Sequence, residues 1–143
     1  MRHKSREYAL QALYQAEINN SHELSLIDDF LTQIDTSSEI TSFSRELILG
    51  TFEHWDAVTE RVSRNMHNWK LGRLPVLVRN ILCLATYEMC IMAVPHTVVM
   101  DEAIELARDF IDDASAAFIN SVLQKIYEDY RSATASDEPE ATV

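Results

Sequence analysis

A chain of 143 residues fits one ordinary domain, able to bury roughly two thirds of the surface its unfolded form exposes, so folding needs no cofactor or staple. With two glycines and three prolines it lacks the turn punctuation of a sandwich, a barrel or serial βαβ units, which leaves an all-α fold. A formal net charge of -11 excludes a broad basic face that grips nucleic acid alone, and favours a solvated acidic surface or a basic protein partner.

The spacing predicts a first helix over residues 4–19, with Ala9, Leu13 and Ala16 facing the core and Arg6, Leu10 and Tyr14 forming a neighbouring stripe. Asn19-Asn20-Ser21 ends it. A second helix over 23–34 turns Leu24, Ile27, Leu31 and Ile34 inward. Thr36 to Glu39 matches a capping box, and a long helical region over 39–68 follows, with a break expected near Gly50. Pro75 suits the first position of the next helix, where its missing donor costs little. Val78, Ile81, Leu82, Ala85, Met89 and Met92 mark one face of that helix, and Leu77, Leu84 and Ile91 are apolar as well. It is therefore expected at the centre of the molecule.

Val94-Pro95-His96 breaks the chain, after which Asp101 and Glu102 are expected in the first turn of a helix, where the helix dipole favours acids. A turn at Asp112-Asp113-Ala114-Ser115 precedes an amphipathic helix carrying Phe118, Ile119, Val122, Leu123, Ile126, Tyr127 and Tyr130. The domain is expected over residues 1–131, with residues 132–143 a disordered acidic tail.

Charge is unevenly spread. Arg2, Lys4 and Arg6 precede the first acid, Glu7, and the segment 61–87 carries Arg61, Arg64, Lys70, Arg73 and Arg79 with no acid. Two basic islands thus lie in an acidic molecule, although ordinary solvated charge fits the pattern equally well. Cys83 and Cys90 are seven apart in a helical pattern, about 10 Å, too far for a mutual disulfide, and read as reduced, buried thiols. Arg6, Glu7 and Gln11 interrupt any secretory-type apolar run near the start. Residues 80–100 carry one charge, Glu88, but Asn80, Pro95 and His96 favour a buried helix plus turn over a membrane span.

Two glycines cannot build a Walker-type loop or a dinucleotide fingerprint, so nucleotide chemistry is not expected. The five histidines fall in no ligand spacing, which gives no expected metal site, cofactor or catalytic group.

Three blocks in order, ALQALYQ near the start, NWKLGRLPVLVRNILCLATYEM in the middle, and VVMDEAIELARDF followed by FINSVL, resemble the NusB family of bacterial transcription antitermination factors. The resemblance covers nearly the whole chain except the tail. It implies a compact bundle of about seven helices, cytoplasmic, that binds the boxA element of nascent ribosomal RNA transcripts together with NusE, a small-subunit ribosomal protein, within the RNA polymerase antitermination complex. It also implies RNA contacts at His3, Lys4, Arg6, Gln11 and Tyr14, with Lys4 and Arg6 on phosphates and Tyr14 stacking on a base. Phe110 and Phe118 match aromatic positions near RNA, and Arg73, Val78, Arg79 and Glu88 match the NusE surface.

Left to spacing alone, Tyr14 reads as the wet edge of the core, and Glu88 as a semi-buried acid satisfied by backbone or arginine donors. The arm has fewer arginines than many members, Val78 stands where the family often has an acid, and Ser121 stands where many have glycine. A homodimer through an apolar face of the first helix is a further expectation. Two other readings share the helical fold: an interaction module without RNA binding, and a detached relative of the RNA-binding domain of ribosomal RNA cytosine methyltransferases.

Overall fold

The computed structural model describes residues 2–34, 37–67 and 70–137. Among them are seven α-helices, α1 (Arg2–Asn19), α2 (Leu24–Ile34), α3 (Ser38–Glu53), α4 (Trp55–Arg64), α5 (Val76–Cys90), α6 (His96–Phe110) and α7 (Asp113–Asp137), with a 3-10 turn at Leu71–Arg73 and no strand.

Helix α5 is central because it is apolar on every side. From Val78 to Met89 only Arg79 escapes full burial, and the helix packs against α1, α3, α4, α6 and α7. It separates two cores. On one side Val78, Ile81, Leu82, Ala85 and Met89 meet Val99, Ala103 and Leu106 of α6 and Ile119, Leu123 and Ile126 of α7. On the other, Cys83, Leu84 and Tyr87 meet Ala9 and Leu13 of α1, Ile27 and Leu31 of α2, Leu47 and Ile48 of α3 and Val58 of α4. Each core is the inner face of amphipathic helices that could not bury their apolar stripes alone.

Local chemistry sets the boundaries. Ser37 caps α3, its hydroxyl accepting from the Ile40 N–H at 3.5 Å. The cap thus falls one residue beyond Thr36, which lies outside the described residues, as does Asn68. The long third region breaks at His54, four residues after Gly50, and its backbone N–H donates to Gly50 O. Gly50 is fixed for a different reason: a Cβ there would overlap the Tyr87 phenol, so α3 and α5 approach each other across a bare backbone.

Pro75 and Pro95 sit one residue before α5 and α6, with φ of -52° at both. Because α6 starts at His96, Asp101 and Glu102 fall in its second turn and not its first. Helix α7 continues to Asp137, and residues 138–143 of the expected tail lie outside the described residues. Among the described residues no helix is long and apolar enough to cross a membrane.

Candidate nucleic-acid interface

The N-terminal turns of α1 place His3, Lys4, Gln11 and Tyr14 at the surface and Arg6 inside. A helix forces this division, since residues three or four apart share a face. Arg6 lies on the side that meets α5 and is only 3% exposed. Its Nε donates to both Glu88 carboxylate oxygens, at 3.1 and 2.9 Å, and its Nη2 donates at 2.8 Å. Burial works against the guanidinium charge, but the hydrogen bonds to Glu88 and the charges of Glu88 and Glu102 together outweigh it, so the Arg6 pKa is raised.

The expected phosphate role for Arg6 does not fit this geometry, because its donors face a buried carboxylate. The expected partner role for Glu88, 2% exposed, fails for the same reason. The acid satisfied by an arginine, readable from its apolar neighbours, is what the structure contains. Val78, 4% exposed, is likewise a core residue.

The rest of the arm is accessible. The Lys4 ammonium is half-exposed, 3.1 Å from Glu7 and above the Tyr8 ring. Arg2 lies with its guanidinium over Phe43 at 4.4 Å. Tyr14 is 40% exposed, and Gln11 is partly buried. His3 is enclosed by carboxylates from two helices: Nδ1 lies 2.6 Å from Glu102, and Nε2 lies 3.1, 3.6 and 3.7 Å from Glu7, Glu105 and Asp109. Among the described residues, groupings of histidine and carboxylate close enough to chelate an ion all centre on His3, where the imidazole, Lys4 and Arg6 already engage the acids. Sequence reasoning missed this ring. The spacing of His3 to Glu7, and of Glu102, Glu105 and Asp109 along one helix face, was the available signal.

The second basic island is largely committed to structure. Arg61 and Arg64 both reach Asp129 of α7, at 3.2 and 2.8 Å, and Asn65 donates to the same oxygen at 3.1 Å. Arg79 pairs with Glu17 of α1 and reaches Leu74 O. Lys70 and Arg73 remain exposed.

Phe118 and Val78, assigned by resemblance to RNA and to a protein, line one groove of about 250 Å³ with Leu74, Pro75, Ala114 and Ser115. Phe110 is partly buried against the α5–α6–α7 core. Burial pushes the Cys83 thiol up to about 12 and that of Cys90, only half-buried, up to about 11, so neither is a thiolate at neutral pH.

With this arrangement in view, comparison with known proteins settles the family. A family model described as the NusB family matches residues 3–128. The chain belongs to the NusB family. A transcription antitermination protein NusB from Bacillus cereus (strain B4264) is 39% identical over 126 residues, covering 87% of this chain and 95% of that protein. The protein of the same description from Bacillus anthracis (strain CDC 684) is 38% identical over the same extent. Among solved structures, T. maritima NusB superposes with a TM-score of 0.80 at 31% identity, covering 90% of this chain and 91% of its own. A chain from a crystal structure of antitermination factors NusB and NusE in complex with dsRNA shares the fold, with a TM-score of 0.82 at 19% identity, covering 90% and 97%.

Proposed function

We propose that this protein is a transcription antitermination factor that binds the boxA element of ribosomal RNA transcripts jointly with NusE, acting by binding and not by catalysis. The match to the NusB family over residues 3–128 carries this reading. Helix α1 supports it, with Lys4 exposed in its first turn and Tyr14 exposed farther along it, where phosphate and a base would be met. His3, Lys4, Gln11 and Tyr14 form the RNA-facing set, Lys4 as a phosphate contact and Tyr14 as a stacking platform. Arg6 leaves that set and becomes the strut that positions it.

The groove between the start of α5 and the α6–α7 turn extends the surface. Phe118, Leu74 and Pro75 line a cleft, with Asp112 at its edge, that a base or a partner side chain fits. A protein with a net charge of -11 gains from a basic partner beside it, which is the role assigned to NusE. The pair acts in the cytoplasm within an RNA polymerase antitermination complex, a reading that the family match supports.

Tyr14 and Ile18, 40% and 60% exposed, leave an apolar strip on α1 that supports a two-fold dimer masking the arm before RNA arrives. Light scattering that finds only monomer at high concentration would contradict the dimer. The function itself is tested by transcription past a terminator downstream of boxA. Read-through should rise when this protein and NusE are added together, and unchanged termination with both present would overturn the assignment.

A further inference from the structure

His3 occupies an unusual electrostatic position within the arm. Both ring nitrogens face carboxylates: Nδ1 meets Glu102 at 2.6 Å, while Nε2 meets Glu7, Glu105 and Asp109 at 3.1, 3.6 and 3.7 Å. A neutral imidazole has one N–H and one lone pair, so it can satisfy only one of these sides; imidazolium satisfies both. The arrangement also reaches Lys4. Glu7 is shared, one carboxylate oxygen lying 3.1 Å from His3 Nε2 and the other 3.1 Å from Lys4 Nζ.

The remaining charges facing this point are few. On α1, Arg6 reaches Glu102 at 3.8 Å while bound to Glu88 of α5, and Arg2 lies over Phe43 of α3. Acids therefore outnumber the cations around His3, and one proton shifts the local balance toward phosphate acceptance.

We propose that His3 and the carboxylates of Glu7, Glu102, Glu105 and Asp109 form a proton-operated gate on the RNA-binding arm: imidazolium masks the acids and loosens Glu7 from Lys4, whereas neutral imidazole leaves them to repel phosphate. The gate rests on the RNA reading above and adds a regulatory input to it. Partial burial works to lower the His3 pKa, but the Glu102 hydrogen bond and the charges of Glu102, Glu105 and Glu7 prevail and raise it from 6.5. The ring thus keeps its proton to higher pH than an ordinary histidine.

The test is fluorescence anisotropy of a labelled single-stranded boxA RNA with the full chain and NusE at pH 6 and pH 8, across a salt series. The wild type should bind several-fold more tightly at pH 6, with a log–log salt slope steeper by about one unit, as for one added phosphate contact. His3→Gln should hold the weak, shallow behaviour at both pH values. Glu105→Gln combined with Asp109→Asn, both at exposed positions, should bring pH 8 binding close to the wild-type level at pH 6. Binding whose pH response persists unchanged in His3→Gln would overturn the gate alone, while absence of binding by any of these proteins at either pH would overturn the RNA reading as well.

Discussion

Arg6 and Glu88 are 82 residues apart in the chain, yet their side chains form the most enclosed ion pair among the described residues. Such a pair is dangerous to break and cheap to replace whole, because removing one partner strands a buried charge. Arg6→Ala or Glu88→Ala should lower stability by about 3–5 kcal/mol in chemical denaturation, and Arg6→Met with Glu88→Leu should recover most of it. Equal losses in both single variants and in the double variant would contradict this role.

This pair also marks the limit of what the sequence discloses about the site. Arg6 sits in a basic run, and the family resemblance assigns it to phosphate. Its burial follows from its place two residues after Lys4, on the opposite side of α1, and only packing against α5 decides which side faces inward. Glu88 was legible as a satisfied acid from its apolar neighbours, although its partner was not. Lys4 and Tyr14 were legible as surface residues, because nothing opposite them demands burial.

At the scale of elements, periodicity served best where a helix has one partner face or none exposed. The full apolar wrap of α5 and the regular stripe of α7 read directly as a centre and a wall. Boundaries were harder. Gly50 suggested a break, but the chain turns at His54, since Gly50 is required by the Tyr87 ring and not by the turn. Nothing in the run Arg61 to Arg79 announced that Asp129, on a helix more than sixty residues later, would gather Arg61, Arg64 and Asn65.

That junction ties α4 to α7 and has a pH signature. Partial burial works to raise the Asp129 pKa, but hydrogen bonds from Asn65 and Arg64 and the charges of Arg64 and Arg61 prevail and lower it from 3.8. A carboxylate with a depressed folded-state pKa contributes stability above its unfolded value and loses it as pH falls through the folded one. Asp129→Asn should therefore lower the melting temperature at neutral pH and flatten its decline below pH 3.8. Identical acid melting profiles for variant and wild type would contradict the junction's role.

For the whole molecule, the net charge of -11 defines how it can meet RNA. Four of its nine arginines tie helices together in this way: Arg6 joins α1 to α5, Arg79 joins α5 to α1, and Arg61 and Arg64 join α4 to α7. At the arm Arg2 and Lys4 are exposed beside His3, and on the proposed reading these few cations leave a basic partner to complete the surface. The family-wide fold explains how one helical bundle offers both an arm and a groove on the same scaffold. Length and composition were enough to exclude a sheet, whereas the division of labour between RNA and partner surfaces depends on contacts made across α5.

The most direct measurement is the affinity of labelled boxA RNA, beside a scrambled RNA of equal length, for this protein alone and with NusE at two salt concentrations. The account predicts weak, salt-sensitive and poorly selective binding by the protein alone, and tight, boxA-selective binding with NusE that Lys4→Ala weakens. Binding with NusE that fails to distinguish boxA from the scrambled RNA, or that Lys4→Ala leaves unchanged, would contradict it.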